Sequence, residues 1–129
     1  MVEHRSVVNV VTWFGRTYRP GVGVNVALLS NFTFDASVNQ VFGSLLHGAV
    51  LHVIEKDLIP DIEGLRNFID THRIHIVNFV PVVLNRLLSR RPKLESLRIV
   101  ISGGESLSAA TRDNIDRIRL FCNAFEYRF

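Results

Sequence analysis

Apolar residues recur along this chain in two alternating rhythms, short dense runs and stretches in which they return every three or four positions. Residues 24–29 form one such run, bounded by Gly21, Gly23 and Asn31, and read as a buried strand. Val38, Val41, Phe42, Leu45 and Leu46 follow at helical spacing, and Gly48 closes that segment as a stop signal. Asp35 and Ser37 stand at its start, where short polar side chains can accept hydrogen bonds from free backbone N–H groups. The cycle repeats. Residues 49–54 predict a second strand, and Ile62, Leu65, Phe68 and Ile69 an amphipathic helix beginning near Pro60 and Asp61. Residues 74–80 predict a third strand, after which Pro81 opens a helix carrying Val83, Leu84, Leu87 and Leu88. Residues 97–101 predict a fourth strand running into Ser102, Gly103 and Gly104. A helix over 108–118 and a short strand over 120–123 complete the pattern, and a first helix over 5–16 precedes it, with Trp13 packed within it.

Strand–helix alternation with short, wholly apolar strands points to an α/β fold, a mostly parallel sheet with helices on its faces. No repeat, linker or low-complexity tract divides the chain, so one structural unit is expected. Ligands of such sheets bind beyond the carboxyl ends of the strands. That rule nominates residues 31–37, 78–81 and 102–105.

Composition narrows the function classes. The 129 residues are 47% hydrophobic and 21% charged, the balance of a globular domain with its own core. The net charge of +3 invites a nucleic-acid reading, but the basic residues are scattered. Only Arg90, Arg91 and Lys93 cluster, at the end of an apolar helical stretch and with no aromatic residue interleaved to stack on bases. Nucleic acid is therefore not expected as a partner. Cys122 is the lone cysteine, which excludes an internal disulfide, and its expected role is that of a small buried hydrophobe. No run is long enough to span a membrane and no apolar signal core precedes His4, so a cytoplasmic location is expected. His47 with His52, and His72 with His75, share no helical face with carboxylates, so no metal site is expected from them.

One stretch is more specific. Phe34-Asp35-Ala36-Ser37, then Val38 and an apolar helix ending in Leu45-Leu46-His47-Gly48-Ala49, resembles the FDxS core motif of adenylation domains in nonribosomal peptide synthetases. These belong to the AMP-binding superfamily of acyl-CoA synthetases and luciferases. Further matches fall in the same order. His4-Arg5-Ser6-Val7-Val8-Asn9 is similar to the stretch after the family's phosphate-binding loop. Leu97-Arg98-Ile99-Val100 leads into Ser102-Gly103-Gly104-Glu105, like the family's glycine-rich adenine segment, and Asn123-Ala124-Phe125 resembles the start of its NAYGPTE-type motif. Each piece alone is weak; their order and spacing together are not. The resemblance covers residues 1–125 and implies part of the large N-terminal domain of an adenylate-forming enzyme.

Such enzymes join a carboxylate to the α-phosphate of ATP, with Mg2+, and in the peptide-synthetase branch pass the acyl group to a carrier-protein domain. The resemblance implies that Asp35 pairs with the ammonium of an amino-acid substrate, as a buried carboxylate held ionised beside a helix N-terminus. Read without the resemblance, Asp35 is a helix cap. The same alignment puts Ala36, Asn39, Asn78, Val100, Ser102 and Ala124 around the substrate side chain, in a pocket with polar walls. Asn78 interrupts the apolar run Ile76-Val77-Asn78-Phe79, and a buried amide there needs a partner, either a ligand or a neighbouring loop. Gly103, Gly104 and Glu105 would lie against adenine, with Phe125 packing on the base; the plainer reading of Gly-Gly is a strand-to-helix turn.

Two departures qualify the resemblance. The family's phosphate loop would precede Met1, and Glu126-Tyr127-Arg128-Phe129 does not match the family, so residues 126–129 read as a separate tail. The family's catalytic lysine and ribose-binding aspartate have no counterpart in the sequence. The isolated chain is therefore expected to be a fragment of an amino-acid-activating domain that does not catalyse adenylation alone. A split subunit completed by a partner, and a small non-catalytic module binding a nucleotide or amino acid, remain the alternatives. A parallel sheet with open edges is also expected to aggregate in isolation.

Overall fold

A computed structural model of the chain describes residues 2–89 and 93–103, and the backbone of residues 119–123. The elements run α1 (His4–Tyr18), β1 (Asn25–Leu28), α2 (Asp35–Leu45), β2 (Val50–Val53), α3 (Ile62–Thr71), β3 (Ile76–Asn78), α4 (Pro81–Leu88), β4 (Ile99–Gly103) and β5 (Arg119–Asn123), with a 3-10 turn over Lys56–Leu58 before α3. The strands form one five-stranded sheet in the order β2-β1-β3-β4-β5. Every pairing is parallel. The expected α/β class and strand–helix rhythm are therefore the observed ones, and each shared element agrees to within a few residues. The helix expected over 108–118 lies outside the described residues.

Alternation along the strands sends side chains to opposite faces. Val26, Ile76 and Ile101 pack under α1 with Phe14 and Tyr18. Ala27, Val77 and Val100 face the other way, into an aliphatic cluster with Leu65 and Ile69 of α3 and Leu84 and Leu87 of α4.

Helix ends are closed by identifiable groups. Asp61 caps α3, its Oδ1 accepting the Gly64 N–H at 3.0 Å. Pro81 occupies the first turn of α4, where its missing N–H costs nothing. Beyond α2 the chain turns through Gly48 at φ 81°. There the Ala49 N–H reaches Ser44 O at 3.1 Å and the Gly48 N–H reaches Leu45 O at 3.1 Å, the pairing of a Schellman motif. Arg73 takes the equivalent left-handed position after α3 at φ 48°, without the freedom of glycine. Asn25 Nδ2 steadies that turn by donating to His72 O at 2.9 Å and Arg73 O at 3.2 Å.

The last carbonyls of α4 are satisfied from another helix. Arg66 of α3 is buried, and its Nη2 donates to Leu87 O at 2.7 Å and Ser89 O at 2.6 Å, while its Nε donates to Leu87 O at 3.0 Å. The Glu63 carboxylate pairs with the same guanidinium.

Two details differ from the sequence expectations. Ser37 does not cap α2 by accepting; its hydroxyl points at the Phe34 carbonyl, 2.7 Å away, and a carbonyl can only receive. The Oδ1 of Asp35 accepts from the neighbouring Ala36 N–H at 2.8 Å, and the cap position itself is held by Phe34, which has no side chain able to bond. Trp13 meets Tyr18 edge-on at 5.6 Å but remains half exposed, on the solvent side of α1.

Candidate functional site

The strand order has its switch point at β1 and β3: the chain leaves β1 toward β2 on one side and returns to β3 on the other. Connections leaving two such strands diverge and open a crevice at their carboxyl ends. Residues 29–34 leave β1 there and lead into α2, while β3 ends at Asn78 just before α4.

This seam gathers some of the candidate residues and separates others. Asp35 begins α2, with Ala36 next and Asn39 one turn on, so the three lie near one rim. By strand alternation Asn78 falls on the same face of the sheet as Ile76, which is the α1–α2 face. Asn78 is half-buried, and its amide makes no hydrogen bond among the described residues. The Oδ1 of Asn39 is buried and also lacks a partner. Val100 and Ser102 belong to the opposite face. Val100 is packed inside the α3–α4 core. Ser102 is 2% exposed, and among the described residues its Oγ has no partner. Gly103 ends β4 at the same edge of the sheet, paired in register with Asn123. Gly104, Glu105, Ala124 and Phe125 lie outside the described residues.

One expectation needs correcting. Asp35 is exposed rather than buried, because it begins the helix at the open rim, beyond the end of β1. The rim is a ledge. Clefts occur elsewhere: one of about 380 Å³ is lined by Val53, Glu55, Asp57, Leu58 and Phe68. Another of about 490 Å³ lies toward the amino-terminal edge among Asp70, Arg73, His75, Lys93, Glu95, Ser96 and Arg98.

The perturbed ionisable groups also lie away from the seam. Burial pushes His75 below the usual imidazole range, helped by the positive charges of Arg98 and Arg73. Its Nδ1 accepts the Asn25 N–H at 2.9 Å, which requires an unprotonated nitrogen, so His75 is a structural acceptor. His52 is lowered by burial and by His72, whose ring lies 5.1 Å away. Asp70 is raised by burial and then by Glu95.

At the seam, Gln40 and Ser30 were not among the residues expected from the sequence. Gln40 is a buried amide on α2 that bonds the Leu29 N–H and the Ser30 hydroxyl. No local pattern marks it, because its partners lie at the end of β1.

Known proteins place this geometry in context. Residues 1–123 match the family described as AMP-binding enzyme. Malpinin synthetase of Mortierella alpina is 34% identical over 108 residues, covering 84% of this chain and 1% of its own length. Tyrocidine synthase 1 of Brevibacillus parabrevis is 30% identical over 109 residues, covering 84% of this chain and 10% of its own. The chain thus spans a small part of the curated relatives it matches. Among solved structures, the nonribosomal peptide synthetase FmoA3 superposes with a TM-score of 0.85 at 28% identity, over 94% of this chain and 14% of that one. The same protein is also known in an AMPPNP-bound form. The four-domain synthetase AB3403, bound to AMP and glycine, superposes at 0.78 over 88% of this chain and 9% of its own; at 19% identity it supports the fold alone.

Proposed function

Because this chain belongs to the AMP-binding enzyme family, we propose that it forms one wall of the site in which a nonribosomal peptide synthetase activates an amino acid as its aminoacyl-adenylate. The observation that carries the reading is Asp35, which opens α2 at the β1–β3 seam with its carboxylate in the open. Ammonium groups are drawn to an ionised carboxylate, and the pairing selects amino acids over other carboxylic acids. Ala36, Asn39 and Asn78 would then meet the substrate from the α2 face, with Val100, Ser102 and Ala124 forming deeper walls. Gly103, Gly104, Glu105 and Phe125 would meet adenine. The orphaned Asn39 Oδ1, on the rim beside Asp35, fits a surface that receives a polar ligand.

ATP, when bound, supplies the electrophilic α-phosphate for the amino-acid carboxylate. This chain's own part is to hold the ammonium at Asp35 and so aim the carboxylate. Mg2+ would come with the nucleotide's phosphates, which commonly hold it together with one or two carboxylates and water. Acceptance of the acyl group by a carrier-protein domain belongs to the larger enzyme and is part of the same proposal. Cytoplasmic localisation is proposed with it; among the described residues, no helix is long and apolar enough to cross a membrane.

Calorimetric titration of the purified chain with a panel of amino acids, and separately with AMP, tests the reading. Asp35→Asn should weaken amino-acid binding by about tenfold, the size of a hydrogen bond to a charged group, and leave AMP binding unchanged. A chain that binds no amino acid, or an Asp35→Asn variant that binds as well as the original, would overturn it.

A further inference from the structure

Gln40 sits in the second turn of α2 and is 1% exposed. Its Oε1 accepts the Leu29 N–H at 3.2 Å, and its Nε2 lies 2.7 Å from Ser30 Oγ. The first bond fixes the orientation of the amide. A backbone N–H can only donate, so the atom facing it must be the carbonyl oxygen. Nε2 therefore faces Ser30, and an amide nitrogen can only donate. Ser30 Oγ uses a lone pair on Gln40, and its own proton must point elsewhere. Among the described residues no acceptor is bonded to that proton.

Position gives the free proton a destination. Ser30 stands just beyond Leu28, the last residue of β1. Strand alternation from Val26 puts it on the α2 face, the face that Asn78 presents on the neighbouring strand. Ser30 is half-buried, so part of it remains accessible where the chain leaves β1.

We infer that Ser30 is a ligand-binding residue at the β1–β3 seam, a hydrogen-bond donor whose polarity is imposed by Gln40 and whose partner is an anionic oxygen of the ligand. Gln40 is the positioning residue: it contacts no ligand, and it keeps the Ser30 proton turned outward. The inference rests on the proposed function, which brings two such oxygens to the seam, the carboxylate of an amino acid and the phosphoryl group of a nucleotide. A carboxylate at position 40 would reverse the device. It can only accept, so the Ser30 proton would turn inward and the seam would meet a lone pair instead.

Separate calorimetric titrations of the whole chain with glycine and with AMP test the assignment. Ser30→Ala is expected to weaken one of the two by about tenfold, as for one hydrogen bond to a charged oxygen, and to leave the other unchanged. Loss in the glycine arm identifies the carboxylate; loss in the AMP arm identifies the phosphoryl group. Ser30→Thr, which keeps the hydroxyl, is expected to lose less than Ser30→Ala in that arm. Gln40→Glu is expected to reproduce the loss in the same arm with Ser30 still present, which a merely structural amide would not do. Melting temperatures measured alongside separate that loss from unfolding, and Ser30→Ala carries the test if Gln40→Glu does not fold. Equal binding of both probes by the original chain and Ser30→Ala would overturn the inference alone. An original chain that binds neither probe would overturn the proposed function and this assignment with it.

Discussion

The helices on the two faces of this sheet are held by different means. Under α3 and α4 the contacts are aliphatic, with Leu65, Ile69, Leu84 and Leu87 closed from solvent. The helix ends there are tied as well, α3 by Asp61 at its start and α4 by the Arg66 guanidinium at its end. On the other face the buried residues of α2 are Ser37, Gln40, Gly43 and Ser44. Its contact with α1 is an interlock of rings and glycines. A Cβ on Gly43 would come within 2.5 Å of the Phe14 ring, and one on Gly15 within 1.9 Å of the His47 imidazole. The start of α2 has no side-chain cap, and Asn39 Oδ1 and Ser44 Oγ are left without partners.

The difference separates two ways of using buried volume. Aliphatic packing stabilises in proportion to the area it hides, whereas small and polar residues hide little and instead set distances and directions. An orphaned polar atom costs about 1–3 kcal/mol on either face, Asn39 Oδ1 and Ser44 Oγ on this one and Ser102 Oγ on the other, so what sets the α2 face apart is its small and polar packing. Such a face suits the proposed role of aiming groups at a ligand, and it carries Asp35, Asn39 and Gln40.

The comparison can be broken by substitution. The largest effect is expected on the aliphatic face. Leu65 is 0% exposed, and Leu65→Ala should lower stability by about 2–5 kcal/mol, read as the midpoint of urea unfolding. Phe42→Ala on the outer side of α2 should change it by less than about 0.5 kcal/mol, since that ring is 48% exposed. Equal losses would erase the contrast. Gly43→Ala comes next. Overpacking against the buried Phe14 ring should cost about 1–3 kcal/mol, reduced by the roughly 1 kcal/mol that alanine gains in helix propensity. A more stable Gly43→Ala chain would show that α1 and α2 are not interlocked. The smallest effect concerns helix starts. Asp61→Ala should cost about 1 kcal/mol through loss of the cap on α3, while Phe34→Ala, at the uncapped start of α2, should leave stability nearly unchanged.

Much of the architecture was legible in the sequence because its signals are local. Gly48 marks a left-handed turn, Pro81 a helix start and Asp61 a cap, and each depends only on the backbone beside it. The apolar runs around Val26, Ile76 and Val100 suit strands buried on both faces, and the sheet is parallel as those runs implied. The candidate site was legible to a smaller extent. The motif around Asp35 located the rim, but the exposure of Asp35 was not inferable from the motif. Nor was the separation of Asn78 from Val100 and Ser102 by the plane of the sheet, which depends on where each strand's alternation starts relative to the helices. Gln40 is absent from the sequence expectations. Its bond to Leu29 crosses to the end of β1, and no local pattern announces such a contact.

The helix α2 marks the boundary between what the sequence determined and what it left open. Val38, Val41, Phe42, Leu45 and Leu46 determine by their spacing that a helix forms, because period is a property of the chain itself. The stripe does not determine which side of the helix meets the sheet. Tertiary structure turned Ser37, Gln40, Gly43 and Ser44 inward and left Phe42, Leu45 and Leu46 exposed. The physical reason is that Gly43 admits the Phe14 ring and Gln40 satisfies the end of β1, and both contacts exist only once distant parts of the chain are brought together.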